Sequence, residues 1–383
     1  MKTVSKRKIL HIITGLNFGG AEKLLLNTCA EQVKRGYEVD VVYFEKNSPL
    51  KREFLKAGID VYWINADIIL LPLCLIKLIL LIRKKNYWVV HTHLPKSGFL
   101  GRIAAYIGGS KNIVNTIHNT YEWYISKNLI YKFLRTVDVW LNNCKQSQII
   151  AISHAVKEHV LRGESKINQS KINILYNAIN FVEIEKGLRE PLTKKDLFLD
   201  EEDFLIVNIG RLVEEKGHIY LLRALDRLIN TDGLSRIKCI ILGRNGNSCN
   251  KVRTFIKEHK LENNILLLGS SKNPYKYLKI SDLFCMSSVI EGFGIAVLEA
   301  FYCQVPVLVS DAGGLPEIVQ HGQTGIIVKK GDIITLENEI KNFYFQKYDI
   351  HRYIENAAKY VKQNFNIKYY VDKLDSIYQE IIK

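Results

Sequence analysis

Residues 283–299, with the sequence LFCMSSVIEGFGIAVLE, contain the elements that decide the fold class of this chain. The apolar run Leu283–Met286 predicts a buried β-strand, and the residues from 295 to 299 favour a helix. Between them, Gly292 and Gly294 predict a turn that lets the backbone approach a ligand closely. A helix that starts after such a turn offers free backbone N–H groups to an anion. The stretch therefore predicts a strand–loop–helix unit of an α/β domain, with an anion site at its edge.

The two carboxylates of this stretch, Glu291 and Glu299, lie eight residues apart and flank the turn. Burying a carboxylate without a partner is costly, so two of them beside a helix start favour binding over stability as their role. Carboxylates accept hydrogen bonds from vicinal hydroxyls, and we predict that Glu299 binds a ribose and Glu291 a sugar. The alternative is a pair of solvated surface side chains.

Two cations follow an earlier strand candidate. Arg211 and Lys216 lie five residues apart, just beyond the apolar run 205–209. A guanidinium offers a planar fork and an ammonium a point charge, and together they suit a diphosphate. Glu214 and Glu215 leave open the alternative of a surface salt-bridge cluster.

Short runs rich in Val and Ile alternate with helical patterns along the whole chain. Continuous runs of this kind are typical of strands in a parallel sheet that is covered on both faces. Strands are predicted at residues 9–14, 39–44, 61–64, 89–92, 113–117, 149–152 and 172–175, and again at 205–209, 239–242, 265–268, 283–286, 307–309 and 326–328. Helical stretches between them include 22–34, 129–144 and 220–230.

This alternation, over 383 residues, predicts two doubly wound α/β domains. Residues 1–180 form the first domain and residues 204–365 the second. Residues 181–203 are charged, contain Pro191 and are predicted to be a linker. The last residues, 366–383, are predicted to form a helix that either crosses back to the first domain or caps its own.

Charge is distributed unevenly over the two halves. Residues 1–180 hold 26 Lys and Arg against 12 Asp and Glu, whereas residues 181–383 hold 28 against 27. An excess of positive charge in one domain favours an anionic partner for it, such as lipid headgroups, a phosphorylated acceptor or nucleic acid. Solubility alone is the simpler explanation. The hydrophobic content of 47% is ordinary for a globular protein and argues against a disordered chain.

The most apolar stretch, residues 68–82, is shorter than the ~20 residues that span a bilayer, and Pro72 and Lys77 interrupt it. It predicts either a helix buried against the sheet or one lying in a membrane interface, with the basic residues 83–85 on anionic headgroups.

Seven scattered cysteines without a C-x-x-C pair indicate a reducing, cytoplasmic location. The N-terminus lacks a small-residue cleavage site, so we do not expect a signal peptide.

An ordered set of motifs resembles the retaining glycosyltransferases of family 4, whose GT-B fold has two Rossmann-like domains facing a central cleft. The motifs are GGAE at 19–22, HTH at 91–93, IH at 117–118, AIS at 151–153, YNAIN at 176–180, GR at 210–211, KG at 216–217, LG at 242–243, residues 291–299, GGLPE at 313–317 and TG at 324–325. They cover nearly the whole chain, and the set is far more specific than any member. Ala178 departs from the pattern, because the family commonly has a glycine at this position.

The resemblance implies roles for residues of the first domain. Gly19 and Gly20 would bind the donor, with Gly20 approaching its phosphate, although a purely structural tight turn is the alternative. His118 would lie in the cleft beside the transferred sugar and position it, and the alternative is a histidine that merely ends a strand. His91 and His93 are interpreted as structural.

In the second domain, the resemblance implies that Arg211 and Lys216 grip the diphosphate. Glu299 would hold the ribose hydroxyls, and Glu291 would lie beside the transferred sugar. The other donor-binding positions are Gly243, Ser270 and Ser271 (the serines facing the base), and Phe293, Gly294 and Ile295 (beside the sugar).

The chain has no Asp-x-Asp motif, so no metal ion and no other cofactor is expected. The cations and the helix N–H groups would instead stabilise the charge on the departing diphosphate. The resemblance implies a nucleotide-sugar donor, most simply a UDP-sugar. The one-sided charge favours a glycan or polyprenyl-diphosphate-linked glycan acceptor at the inner face of the cell membrane, and hence cell-surface polysaccharide synthesis. An anionic membrane surface, and no nucleic acid, is the expected partner.

Two alternatives remain open at this point, besides a non-catalytic binder of nucleic acid or membrane through the basic first half, which would leave Arg211, Lys216 and the two glutamates unexplained. One is a nicotinamide-dependent oxidoreductase, in which Glu45 at a strand end would bind the ribose of NAD. The absence of a G-x-G-x-x-G fingerprint speaks against it. The other is a different enzyme of the same fold, such as a sugar epimerase.

Overall fold

The computed structural model describes residues 7–119 and 128–381, which fold into two compact units. The first unit comprises Met1–Ala178 and Ile367–Lys383, and the second comprises Ile179–Asn366. Each unit is built on one parallel sheet with helical crossovers. The predicted fold class of two doubly wound, Rossmann-like α/β domains is confirmed.

Seven strands form the sheet of the first unit, in the order β3-β2-β1-β4-β5-β6-β7. The strands are β1 (Lys8–Ile13), β2 (Glu38–Tyr43), β3 (Asp60–Trp63), β4 (Val89–His93), β5 (Ile113–Ile117), β6 (Ser147–Ala151) and β7 (Ile172–Ile174). The helices are α1 (Gly20–Lys34), α2 (Lys51–Lys56), α3 (Leu71–Lys85), α4 (Pro95–Ile107), α5 (Leu129–Asn143), α6 (His154–Gly163) and, from the end of the chain, α15 (Ile367–Glu380).

Both faces of this sheet are covered, which explains why its strands are apolar without alternation. Leu10 and Ile12 of β1 pack with α3 and α4 in one cluster. Ile13 of the same strand packs with α1 and α2 in another, together with Val39 and Val41 of β2. Successive side chains of a strand point to opposite faces, so each face needs its own apolar set.

The C-terminal helix α15 packs against α1, within the first unit. Arg35, which follows α1, donates hydrogen bonds to Asp372 at 2.7 Å, to Asp375 at 3.2 Å and to the carbonyl of Lys368 at 2.9 Å. Of the two positions predicted for this helix, the structure therefore has the one on the first domain.

Six strands form the sheet of the second unit, in the order β10-β9-β8-β11-β12-β13. They are β8 (Phe204–Ile209), β9 (Ile237–Leu242), β10 (Ile265–Gly269), β11 (Leu283–Met286), β12 (Val307–Ser310) and β13 (Ile326–Val328). The helices are α7 (Phe181–Leu188), α8 (His218–Asp226), α9 (Cys249–Glu258), α10 (Tyr275–Lys279), α11 (Ile295–Tyr302), α12 (Leu315–Ile318), α13 (Ile333–Tyr344) and α14 (Ile350–Asn364).

The structure differs from the predicted linker at residues 181–203. The first part of this segment is helix α7, whose N-terminus is capped by the side chain of Asn180. The carbonyl of Gly187 accepts a hydrogen bond from Asn273 at 2.8 Å, and Leu188 accepts one from Lys279 at 3.2 Å. The segment is thus packed on α10 as part of the second unit.

Residues 68–82 form a short 3₁₀ turn and most of α3, one face of which is buried through Cys74, Leu78 and Ile82. The opposite face is exposed. No helix in the part of the chain that the structure describes has the length and apolarity needed to cross a bilayer.

Candidate functional site

The order of strands reverses at β8 in the second unit, with β9 on one side of it and β11 on the other. Ligands of open α/β sheets bind beyond the carboxyl ends of the strands at such a switch point. Arg211 and Lys216 lie in the segment after β8, and Glu291 lies in the loop after β11. The fold therefore places the predicted cations and the first carboxylate on either side of the switch point.

Lys216 and Glu291 are in direct contact, although 75 residues separate them in sequence. The Lys216 Nζ lies 2.5 Å from Glu291 Oε2, and the two side chains are 21% and 10% exposed. The Ser288 hydroxyl donates to the same carboxylate oxygen at 3.4 Å. The sequence left open a surface salt-bridge cluster with Glu214 and Glu215. The structure differs, because Lys216 pairs with Glu291, and Glu214 lies 3.9 Å from Lys251.

The backbone fixes this contact from two sides. The carbonyl of Glu215 accepts hydrogen bonds from the amides of Val289 at 2.8 Å and Ile290 at 3.1 Å, which joins the two loops. On the other side, Gly314 donates to the carbonyl of Glu291 at 3.1 Å. Gly313 has φ +52°, and a Cβ there would lie 1.8 Å from the same carbonyl oxygen. The GGLPE motif thus supports the Glu291 loop from behind.

Gly243, predicted to bind the donor, has a clear packing reason to be glycine. It follows β9, and a Cβ there would lie 1.8 Å from the carbonyl oxygen of Gly210 after β8. Its amide donates to the carbonyl of Gly269 at the end of β10, at 2.8 Å. The glycine lets the ends of three neighbouring strands stay close together beneath the site.

Helix α11 begins at Ile295, and Gly294 precedes it with φ +97° and no side-chain cap. The first amides of a helix lack internal partners and carry positive potential, which suits an anion. Phe293 is buried and lies 6.0 Å, between ring centroids, from Phe365. Because its side chain serves the core, only the backbone of Phe293 is available for a ligand.

Glu299 lies in the second turn of α11 and is buried, with 7% of its surface exposed. The Tyr275 hydroxyl lies 3.3 Å from Glu299 Oε1 and 3.3 Å from Glu183 Oε1. Burial, and then the two carboxylates, raise the pKa of Tyr275, so it remains a phenol that donates. Sequence reasoning missed Tyr275, because nothing local distinguishes it from a core tyrosine of α10.

The other predicted donor contacts of the second unit are exposed or partly exposed. Arg211 is exposed, and its guanidinium makes no hydrogen bond or ion pair with the described residues. Ser270 is exposed after β10, and the Ser271 hydroxyl accepts a hydrogen bond from the Asn273 amide at 3.2 Å. Arg211 is thus a cation at the switch point whose charge is not already used.

The first unit repeats the arrangement, with its strand order reversing at β1. The loop after β1 leads through Gly19 into α1, which begins at Gly20. In that loop the Asn17 amide donates to Glu45 Oε2 at 2.6 Å. Glu45, considered above as a ribose ligand for NAD, is therefore engaged in shaping the glycine loop.

His118 follows β5 and is partly exposed. Its Nε2 lies 3.3 Å from Nδ1 of His93 at the end of β4. Burial lowers the pKa of His118 to about 4, so the ring is neutral at pH 7. A neutral imidazole at this position can orient a hydroxyl without adding charge.

Comparisons with known proteins agree with this architecture. The model of Glycosyltransferase Family 4 matches residues 18–182, and the model of Glycosyl transferases group 1 matches residues 190–360. The chain is 26% identical to the UDP-Gal:alpha-D-GlcNAc-diphosphoundecaprenol alpha-1,3-galactosyltransferase of Escherichia coli, over 99% of this chain and 98% of that protein. It is 31% identical to the N-acetylgalactosamine-N,N'-diacetylbacillosaminyl-diphospho-undecaprenol 4-alpha-N-acetylgalactosaminyltransferase of Campylobacter jejuni, over 62% and 61% of the two chains.

Solved structures show the same fold. Anabaena HepE in complex with UDP-glucose has a TM-score of 0.80 at 22% identity, covering 98% of both chains. A glycosyltransferase from Rickettsia africae has a TM-score of 0.80 at 23% identity, covering 99% of both. At these identities the likeness concerns the fold alone.

Proposed function

Since the chain belongs to glycosyltransferase family 4, we propose that it transfers the sugar of a UDP-sugar to a lipid-linked glycan during cell-envelope polysaccharide synthesis. It is a glycosyltransferase that uses a nucleotide-sugar donor. The proposal adds that the anomeric configuration is retained and that no metal ion takes part. Two of the similar proteins, from Escherichia coli and Campylobacter jejuni, act on diphosphoundecaprenol-linked sugars, which supports an acceptor of this class.

The observation that carries the proposal is the contact between Lys216 and Glu291 at the switch point. Exposed Arg211 precedes Lys216 in the same segment, and α11 begins just after Glu291. A diphosphate needs cations and N–H groups, whereas a sugar needs a carboxylate or other acceptors for its hydroxyls. This site offers both kinds of group side by side. Glu299, further along α11, supplies a second buried carboxylate for the ribose.

Departure of UDP develops negative charge on the β-phosphate. Arg211, Lys216 and the N-terminus of α11 stabilise that charge in the proposed mechanism, which is the task that a metal ion performs in other transferases. The acceptor hydroxyl attacks on the face that the diphosphate leaves, and its proton passes to the departing phosphate. For Gly20 and His118 we keep the roles implied by the resemblance, approach to the phosphate and orientation of the sugar.

Two substitutions test the donor site. Arg211→Ala and Glu299→Gln should each lower turnover by roughly two to three orders of magnitude, the range for losing one preorganised group. Arg223→Ala on α8 and Glu258→Gln on α9 remove exposed groups of the same types and should leave turnover unchanged. Transfer is followed by mass spectrometry over a panel of nucleotide sugars, and near-wild-type kinetics in both site variants would refute the assignment.

Metal independence and retention of configuration are tested by separate measurements. Activity should survive an excess of EDTA, and a requirement for added Mn²⁺ would contradict the metal-free mechanism. NMR of the product gives the configuration at the new linkage, and inversion would rule out the proposed attack on the leaving-group face.

A lipid-linked acceptor requires the enzyme to reach a membrane, and we propose that one surface of the first unit makes this contact. It consists of exposed apolar side chains of α3 and the turn before it, of α4 and of α5. They are Ile69, Leu73, Ile76, Leu80, Tyr106, Ile107, Phe133 and Trp140, from here on the α3–α5 surface. Tyr106 and Trp140 are in contact at 4.7 Å between ring centroids, and Arg83 donates to the carbonyl of Ile107 at 3.0 Å, so the three helices adjoin.

The charges of these helices favour an anionic surface. Lys77, Arg83 and Lys84 on α3 and Lys132 on α5 are exposed. Asp138 is the only carboxylate in the sequences of α3, α4 and α5, and it is buried in an ion pair with Arg102. Apolar side chains beside cations are what an interfacial surface needs, and the exposed carboxylate of Asp67 precedes the turn before α3.

Vesicle sedimentation tests this surface. We expect binding to vesicles that contain phosphatidylglycerol, and weaker binding after Leu80→Ser with Phe133→Ser. Ile334→Ser, a half-exposed residue of the second unit, is the matched control and should not change binding. Tight binding to neutral but not to anionic vesicles would contradict the proposal.

A further inference from the structure

Beneath α1 and α15 the first unit holds a cluster of buried histidines that the proposed function does not use. His11 of β1 lies opposite His91 of β4 in the sheet register, and His93 of β4 lies opposite Thr116 of β5. Residues two apart on a strand share a face, so all three histidine side chains point to the same side. His11 and His91 are fully buried, and His93 is 5% exposed.

His11 and His93 belong to a continuous hydrogen-bonded chain of four side chains, which runs from Gln32 on α1 to His118 after β5. Gln32 Oε1 on α1 lies 3.0 Å from His11 Nε2. His11 Nδ1 lies 3.0 Å from His93 Nε2, and His93 Nδ1 lies 3.3 Å from His118 Nε2. Each imidazole of the chain uses both of its nitrogens, except His118 at the end.

The direction of such a chain is determined by its first member. A neutral imidazole donates through one nitrogen and accepts through the other, whereas an amide oxygen only accepts. With Gln32 Oε1 facing it, His11 must carry its proton on Nε2 and accept at Nδ1. His93 must then donate from Nε2 and accept at Nδ1, which leaves His118 to donate from Nε2.

The chain carries no extra proton at neutral pH. Burial lowers the pKa of His11 and of His118 to about 4, and it lowers the pKa of His93 well below its usual value. A neutral chain can hold only two arrangements, one for each orientation of the Gln32 amide. The structure has the orientation with the oxygen toward His11.

We propose that Gln32 is a positioning residue that, through His11 and His93, holds His118 with its proton on Nε2 and its Nδ1 as a hydrogen-bond acceptor. The consequence for catalysis rests on the proposed function, in which His118 orients the transferred sugar. An acceptor nitrogen there binds a sugar hydroxyl as donor and disfavours a group that can only accept. The residue that sets this preference lies on α1, and three histidines, His11, His93 and His118, separate it from the substrate.

His91 is a neighbour of the chain and not a member. Its Nδ1 lies 2.6 Å from the Tyr378 hydroxyl on α15, and its Nε2 lies 2.7 Å from the Thr116 hydroxyl. His11, His91 and His93 come close enough together to suggest a metal centre. However, both nitrogens of His91 already bond hydroxyls, and His11 and His93 bond each other, so the geometry favours hydrogen bonding.

Nitrogen-15 NMR of the protein with labelled histidine rings tests the proposal, because protonated and unprotonated ring nitrogens have well-separated chemical shifts. We expect His118, assigned with a His118→Asn variant, to show an unprotonated Nδ1 and a protonated Nε2. Gln32→Met removes the acceptor that orients the chain, so the His118 signals should move toward the average of both tautomers. Turnover should fall about tenfold to a hundredfold, as for one misdirected buried hydrogen bond.

Thr92→Val is the matched control. Thr92 lies between His91 and His93 on β4, donates to Asn115 Oδ1 at 2.9 Å and points to the other face. This variant loses a buried hydrogen bond of the same strand, and it should leave the His118 tautomer as in the wild type.

Three results would overturn the proposal: a protonated Nδ1 of His118 in the wild type, an unchanged His118 tautomer in Gln32→Met, or a stoichiometric metal ion retained by the purified protein after dialysis against a chelator. A tautomer that shifts in Gln32→Met while turnover stays constant has a different meaning. It supports the chain and counts against the role of His118 in the proposed function.

Discussion

Acidification from pH 7 to pH 5 should destabilise the first unit, and His11 allows the size of this effect to be worked out. His11 is fully buried, and burial lowers its pKa from 6.5 to about 4. The unfolded chain therefore binds more protons than the folded chain at any pH between these values. The contribution of His11 to stability is complete above pH 6.5 and is lost as the pH falls toward 4.

At pH 5 an unfolded histidine with pKa 6.5 is almost fully protonated, whereas a folded one with pKa about 4 is not. The corresponding loss is about 2 kcal/mol for His11 alone, which is a large part of the stability of a typical domain. His91 and His93 add to the loss in the same direction, because burial lowers the pKa of each. His118 adds less than its pKa of about 4 suggests, since it is partly exposed.

Urea denaturation, monitored by tryptophan fluorescence, measures the free energy of unfolding of the first unit at each pH. Residues 179–366 contain no tryptophan, and Trp63, Trp88 and Trp140 lie in the first unit. We expect a lower midpoint at pH 5 than at pH 7 with a similar slope, since the surface exposed on unfolding is the same.

The variant His11→Gln isolates the contribution of one ring. It should lower stability at pH 7 but reduce the further loss between pH 7 and pH 5 by about 2 kcal/mol relative to the wild type. His351→Gln on α14 is the control, because it lies in the second unit, which tryptophan fluorescence does not report. An equal loss in wild type and His11→Gln would show that His11 is not held neutral by burial.

Two further predictions concern the supports of the site and of α15. Gly313→Ala should destabilise the second unit and weaken UDP binding, because the new Cβ would overlap the carbonyl of Glu291. Gly322→Ala is the control: its φ is +73° with open space around it, so it should lower the free energy of unfolding only by the ~1–2 kcal/mol of left-handed strain. Calorimetric titration with UDP measures binding, and thermal denaturation measures stability. Equal changes in the Gly313→Ala and Gly322→Ala variants would refute the overlap. Arg35→Ala should raise hydrogen exchange in α15, since three hydrogen bonds to that helix are lost, whereas Arg162→Ala, which breaks an exposed pair with Glu158, should not. Unchanged exchange in Arg35→Ala would mean that apolar packing alone holds α15.

The sheets could be predicted from sequence because their physics is local and repeated. A strand of a parallel sheet that is covered on both faces must be apolar along its length, and every strand of both units overlaps a run found on that basis. The glycines at positions 292 and 294 likewise indicate a turn by their conformational freedom alone. Such features depend on neighbours in sequence, so the sequence displays them.

The sequence contains a helix N-cap signal at the start of the predicted linker, but charge and proline content favoured a linker. Asn180 and Glu183 have the spacing of a helix N-cap and its third residue, and Asn180 does accept from the amides of Val182 at 3.1 Å and Glu183 at 3.4 Å. High charge and Pro191 pointed to a linker instead. What makes α7 part of the second unit is its packing against α10, which sequence alone does not show.

Contacts between distant residues could not be predicted at all. Nothing local pairs Lys216 with Glu291, Tyr275 with Glu299, or Gln32 with His11. The Lys216 contact arises because parallel strands bring their carboxyl ends to one edge, and which loops meet there depends on strand order. Sequence motifs proposed the members of the candidate site, and the topology decided which of them are in contact.

The contact between Lys216 and Glu291 has a consequence for how the donor is recognised. In the structure this lysine neutralises the carboxylate, so it is not free to bind phosphate at full strength. Under the proposed function, the diphosphate draws Lys216 toward itself, and Glu291, only 10% exposed, then needs a hydroxyl of the sugar as a replacement partner. Phosphate binding and sugar binding are thereby coupled, and UDP without a sugar leaves the carboxylate with a poorer partner. We expect Glu291→Gln to tighten the binding of UDP and to reduce the preference for UDP-sugar over UDP, as measured by titration calorimetry with both ligands. An unchanged ratio of the two affinities would mean that Lys216 and Glu291 act independently.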